Sequence, residues 1–409
     1  MNISVAKWLN NADAPVLFMI DDLANVWVDL DKNGNLALGG DWGFWKNEKN
    51  SSFRYLNEVI LNEFSEVKVT FFVPVGTRVG MIKNPVLPFV SQKINEDEET
   101  KKFFREIHED SRFEIAYHGT THGEVGETNL DFKQEWELFS NLEEAIRVIE
   151  QGKEIYKDAI GLNPYGGKYC GYTSNEFSDS SIDKTGFTWW CRYWNRGIED
   201  EIIPHITGND TDKKSNFDIK RFGENQVVDI PSTVNGALLT SVLNSNLTTF
   251  KGIAKKILKC VLVRKKLKEI DYLVENNLVI SIQEHIAPSR DDGRIQTPNI
   301  FDDEKSLKTI FKYLKNKNIW YCTGTELAEY VRIRDSIKII PKTDKDSFEI
   351  DFSLEEPVSE KIITLIINMD CVDKIILPNG NRVKVVNQKV NIPITRGVYK
   401  LQFSKKMKW

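Results

Sequence analysis

Thiols and imidazoles are scarce in this chain of 409 residues. Its five cysteines, Cys170, Cys191, Cys260, Cys322 and Cys371, are scattered, odd in number and without CxxC spacing. That argues against a disulfide framework and against a thiolate zinc site, and free thiols fit a reducing compartment. Long apolar runs are missing too. Val16–Ile20 is far too short to span a bilayer, and no basic segment precedes an apolar stretch at the N-terminus. The expected compartment is therefore the cytoplasm. Excess positive charge is also lacking. A formal net charge of −5 argues against broad nucleic-acid binding, and no nucleic-acid partner is expected.

What is present reads as an ordinary globular protein of two domains. Short apolar runs at 15–20, 67–73, 112–118, 186–190, 226–230, 278–285 and 319–323 read as strands. Between them, segments such as 141–156 and 303–317 carry apolar residues at helical spacing. Strands alternating with helices imply βαβ units and parallel pairing, hence an α/β barrel over residues 1–335. From about Arg334 the pattern changes to short β-rich runs separated by turns. The sequence Pro378-Asn379-Gly380-Asn381 marks one hairpin. Residues 336–409 are expected to form a small all-β, sandwich-like accessory domain.

Three of the five histidines stand where chemistry is plausible. His118 and His122 follow the strand RFEIAYH four residues apart, a spacing that lets two imidazoles converge on one ion. Asp21 and Asp22 end the strand VLFMI and offer carboxylate oxygen, and His285 ends LVISIQE. In parallel α/β architectures the C-terminal strand ends form the functional face, and all five residues lie there. A divalent ion of borderline hardness accepts imidazole and carboxylate together. Zn²⁺ is the default, with Co²⁺, Ni²⁺, Mn²⁺ or Fe²⁺ as alternatives. His205 sits in an irregular segment and is a spare candidate acid.

These motifs, in this order, resemble the NodB-like polysaccharide deacetylase family. FMIDD resembles the first motif, HGTTH the second, GGKYCGY the third, VVDIP the fourth and ISIQEH the last, over roughly residues 12–333. The resemblance implies a distorted, incomplete (β/α) barrel and one divalent metal held by Asp22, His118 and His122. It further implies Asp21 as general base and His285 as general acid. The third motif departs from the family. Lys168 stands where Arg is usual, and Tyr169 and Cys170 replace prolines. Lys offers Asp21 a point charge rather than a planar fork. Backbone amides near Tyr169–Gly171 are expected to face a developing oxyanion.

The activity expected is removal of an acetyl group from an N-acetylated sugar, as a precursor in O-antigen or capsule biosynthesis. A non-catalytic carbohydrate-binding protein on the same scaffold, or a hydrolase of another small amide or O-acetyl ester, remains the alternative. Trp42 and Trp45 in the segment GGDWGFW, with Trp189, Trp190 and Trp194, are candidate sugar-contacting or pocket-wall aromatics. Residues 251–268 are basic with a strong apolar component. They read either as an amphipathic helix packed on the barrel, or as a contact for an anionic membrane or a phosphorylated substrate.

Overall fold

The computed structural model describes residues 2–194, 216–245, 248–344, 346–353, 361–369 and 371–404. Residues 16–317 with 321–325 form one compact unit, and 1–15 with 318–320 and 326–409 form another.

The first unit is organised by strands that are apolar along their whole length. In β1 (Ala14–Asp21) every residue is buried, as in β2 (Val69–Val73) and β3 (Phe113–Tyr117). Continuous rather than alternating burial is the mark of a parallel sheet covered on both faces. The other strands along the sheet's main path are β4 (Gly166–Lys168), β5 (Trp189–Cys191), β6 (Lys220–Phe222), β7 (Val227–Asp229), β8 (Val234–Asn235) and β9 (Ile280–His285). They lie in the order β6-β7-β5-β4-β3-β2-β1-β9-β8. Only β6–β7 is antiparallel; the other pairs are parallel. Among the described residues the path ends at β6 and β8 without closing on itself, so the architecture is an incomplete (β/α) barrel.

Helices 142–160 and 304–314 occupy the two segments whose apolar spacing predicts them. The first begins at Asn141, whose side chain accepts from Glu144 N, and ends on Gly161 at φ 100°, a capped start and a left-handed stop. β4 was missed as a strand because Gly166 and Gly167 carry no apolar signal. Both glycines are required by their neighbours. A Cβ on Gly166 would enter the Trp189 ring, and one on Gly167 would meet the Tyr117 carbonyl and the Trp190 ring.

The second unit contains two antiparallel sheets around one core. One runs 337–341, 347–352, 397–403, 372–376, 382–384; the other runs 3–5, 362–367, 389–393. Phe348, Ile350, Tyr399 and Leu401 from the first meet Ile363, Leu365, Val390 and Ile392 from the second. The two sheets form the small β-sandwich, to whose core Ile333 of helix Gly324–Ser336 also contributes, and the turn at Gly380 (φ 85°) joins a hairpin as its residues imply. Unlike a division at 335/336, this unit takes in strand Ile3–Val5, which pairs with Ile362–Ile367.

Candidate active site

Parallel register brings the chemistry-bearing residues to one end of the sheet. Asp21, the last residue of β1, lies opposite Phe72 of β2 and His285 of β9. Asp22 and His118 continue past β1 and β3, each donating its backbone N–H to a β2 carbonyl, Phe72 at 2.9 Å and Val73 at 3.0 Å. Asp22 and His122 have φ of 70° and 72°. The left-handed region is costly for a side-chain-bearing residue, about 1–3 kcal/mol, and such strain concentrates at functional sites. The second loop is held in place by Glu135. Its carboxylate accepts from the N–H groups of Thr120, Thr121 and His122 at 2.7–2.9 Å.

Lys168 joins two halves of the site. Its ammonium is completely buried, 2.6 Å from Asp21 Oδ2, and also donates to Gln283 Oε1. It lies 4.2 Å from the centre of the Tyr172 ring, a cation–π contact. Its backbone carbonyl is 2.9 Å from His118 Nδ1. With Nδ1–H donating there, Nε2 of His118 keeps its lone pair. That atom is 3.9 Å from Asp21 Oδ2. The other Asp21 oxygen, Oδ1, is buried with no hydrogen-bond partner.

Asp22 is surrounded by donors. Oδ1 lies 3.0 Å from His122 Nε2, without hydrogen-bond alignment, and 3.7 Å from Arg78 Nε. Oδ2 accepts from Gln296 Nε2 at 2.8 Å. Burial pushes this carboxyl up, but His122 and Arg78 outweigh burial and hold it well below the usual range. Burial also pushes His118 down to about 4, with Asp21 opposing. His118 therefore stays neutral, the form that ligates metal.

The donor set fits a divalent cation. Asp22 supplies a carboxylate anion, His118 a neutral imidazole with Nε2 left over, and His122 an Nδ1 buried without a partner. Potential ligand atoms of His118, His122 and Cys170 all lie within 4.8 Å of one another. Cys170 is the poorer third donor. Its thiol donates to the His118 carbonyl at 2.7 Å, and burial holds it far from thiolate formation.

These groups open into a cleft of about 380 Å³ lined by Asp21, Asp22, His118, His122 and His285. Such a volume lies within the range of small-molecule sites, roughly 300–1,000 Å³. His285 Nδ1 is 2.7 Å from the Pro298 carbonyl. Gly171, Tyr172 and Trp194 also line the cleft.

Burial corrects the aromatic expectations at Trp42, Tyr169, Trp189 and Trp190. Trp42 lies beneath the Arg78 guanidinium at 4.3 Å, and its Nε1 donates to Ser289, so it supports the wall from behind. Trp190 is wholly buried among Trp136, Tyr169 and Phe187. Tyr169 is also buried, with its hydroxyl on Asp179 at 2.7 Å and its amide N–H on the Cys191 carbonyl at 3.3 Å. That amide does not face an oxyanion. Trp45 packs edge-on against Trp27 and lines a separate surface depression with Phe44 and Phe103. His205 lies outside the described residues.

The site residues that sequence reasoning missed are Arg78, Gln283, Gln296 and Glu135. A signal existed for Gln283. Period-two alternation along ISIQEH puts it on the face of His285. Arg78, Gln296 and Glu135 sit in irregular segments or a single helical turn, where no periodicity marks them.

No family model matches the chain, and no curated protein matches it. Among solved structures it is similar to a protein described as a polysaccharide deacetylase from Mycobacterium smegmatis. The identity is 16%, over 80% of this chain and 93% of that one, with a TM-score of 0.44. It is similar also to the PuuE allantoinase, at 13% identity over 80% and 93% of the two chains, TM-score 0.44. A CE4 family pseudoenzyme from Bacillus anthracis is similar at 12% identity over 78% and 66%, TM-score 0.35.

Proposed function

We propose that this protein is a metal-dependent hydrolase that removes the acetyl group from an N-acetylated sugar. One observation carries the reading. Asp21, Asp22, His118, His122 and His285 come from three strand ends and line one cleft. Their order along the chain is that of the motifs quoted above.

Asp22, His118 and His122 would hold the metal. A divalent ion so bound supplies Lewis-acid polarisation of the amide carbonyl and lowers the pKa of water. The chain's own residues account for the proton movements. Asp21, with Oδ2 fixed by Lys168 and Oδ1 unpartnered, takes a proton from the attacking water as its oxygen bonds to the acetyl carbon. His285 gives its proton to the amine nitrogen as the C–N bond breaks. The products are acetate and the free amino sugar. Trp194 and Tyr172, on the cleft wall, offer aromatic faces to a sugar ring.

In the finer form of the reading, the substrate is a precursor of surface polysaccharide such as O-antigen or capsule. The test is metal analysis of the purified chain coupled to acetate release from N-acetylated sugar nucleotides, free sugars and oligosaccharides. The expected result is about one divalent ion per chain and acetate from at least one substrate class. Release from oligosaccharides alone would remove the precursor assignment. A chain that takes up no divalent ion and releases no acetate would sink the whole reading.

A further inference from the structure

Two consecutive helices present a face that the catalytic reading leaves unused. Helix Phe250–Ile257 starts at Thr249, whose side chain accepts from Gly252 N, and helix Lys259–Glu275 follows it directly. In the second helix the later apolar residues behave ordinarily, with Leu267, Ile270 and Leu273 buried. The preceding stretch is inverted. Phe250 is 95% exposed, Ile257 77% and Val261 65%, with Ile253 and Leu258 also exposed. Positions 250, 253 and 257 follow helical spacing, so one stripe of the first helix turns apolar side chains to solvent. A contiguous exposed apolar patch marks an interaction surface rather than a packing surface.

Charge identifies what covers it. Residues 250–268 contain eight Lys and Arg and no Asp or Glu, in a chain whose net charge is −5. Lys256 and Lys259 are exposed beside the stripe, while Lys255 is tied to the Ser241 carbonyl at 2.9 Å. The occupant must therefore be anionic and also able to receive apolar side chains. A soluble phosphorylated sugar meets the first requirement and leaves Phe250 and Ile257 in water. A second copy docked through the same face would set cations against cations, because a two-fold contact pairs a patch with itself. A bilayer surface rich in acidic lipid meets both requirements. No helix among the described residues is long and apolar enough to cross a membrane, which leaves attachment in the interfacial plane.

We infer that residues 250–268 form a peripheral docking surface for membranes containing acidic phospholipid. The apolar stripe enters the headgroup region and the lysines meet the lipid phosphates. This does not depend on the catalytic reading, since none of these residues lines the cleft.

Flotation of the full chain with lipid vesicles tests it. One vesicle set is phosphatidylcholine alone and the other contains phosphatidylglycerol, each at low and high salt. The chain should float with acidic vesicles at low salt, stay behind with neutral ones, and lose binding as salt screens the charges. Lys256→Glu with Lys259→Glu, and separately Phe250→Ser with Ile257→Ser, should each lower the partition coefficient by about tenfold or more. Unchanged circular dichroism checks that the variants are folded. Equal recovery with both vesicle types, or variants that float like the parent, would overturn the inference. So would a Phe250→Ser, Ile257→Ser variant that changes from dimer to monomer on sedimentation yet still floats, because the face would then belong to a second copy. If soluble phosphorylated sugar binds through these lysines and neither vesicle type does, the docking surface is likewise refuted.

Discussion

The two faces of strand β9 treat buried charge in opposite ways. Gln283 and His285 point to the cleft, where every buried ion has company. Asp21 is held by Lys168, Asp22 by His122 and Arg78, and Lys168 by Gln283. Glu284, one residue away, points to the other face. It is wholly buried, its two oxygens have no hydrogen-bond partner, and Gly236 stands against it. Burial, with Asp303 and Asp302 nearby, pushes its carboxyl well above the ordinary range. One face matches its carboxylates with cations and donors. The other holds a carboxyl whose burial favours the protonated form. The lesson is that ionised carboxylates at this depth depend on named partners, and removing a partner should expose that dependence.

The largest effect is expected on the matched face. Asp21→Asn should lower turnover by about two to four orders of magnitude, the usual range for a general acid–base group. Metal content should stay near one ion per chain, because Asp21 is not among the three proposed ligands. Unchanged acetate release would remove Asp21 from the mechanism. Lys168→Met is next. Breaking a buried pair leaves an uncompensated charge and costs about 3–5 kcal/mol of stability, measurable by urea unfolding. Losing the cation also releases Asp21 Oδ2 from the contact that fixes it, so turnover should fall as well. Turnover unchanged in a folded Lys168→Met variant would mean that Lys168 does not position the base. His285→Ala should lower turnover by about a hundredfold, since the leaving amine loses its proton donor. Stability should change little, because His285 is only half-buried. Undiminished turnover would assign the acid elsewhere, with His205 the next candidate.

The matched face was partly legible in the sequence, and the reason is geometric. Asp21, Asp22, His118 and His285 end strands whose apolar runs are unmistakable, so a strand-end rule finds them. Their partners obey no such rule. Arg78 and Gln296 reach Asp22 from irregular segments, and Glu135 shapes the His122 loop from a single helical turn. Trp189 and Trp190 failed for another reason. In a strand covered on both faces, residue identity reports bulk but not direction. Trp189 and Trp190 are neighbours, and both are buried. At the other extreme of range, Ile3–Val5 pairs with Ile362–Ile367. No local pattern announces a contact between the two ends of a chain.

Glu284 supplies the smallest predicted effect and the sharpest test of the comparison, because its sign is opposite to that of the cleft. Asp22 is depressed, so its contribution is present above its unfolded value of 3.8 and is lost as pH falls. Glu284 is raised. The unfolded chain releases its proton above about 4.5, while the folded chain keeps it. The folded state then binds more protons than the unfolded state, and stability falls as pH rises through that window. Glu284→Gln removes the titration and nearly preserves the shape. As pH rises above about 4.5 the variant's unfolding free energy should therefore decline less steeply than the parent's, and the variant should gain on the parent across that window. Urea unfolding at several pH values in that window measures both quantities. Parallel curves for parent and variant would show that Glu284 ionises in the folded protein, and the contrast between the two faces of β9 would fail.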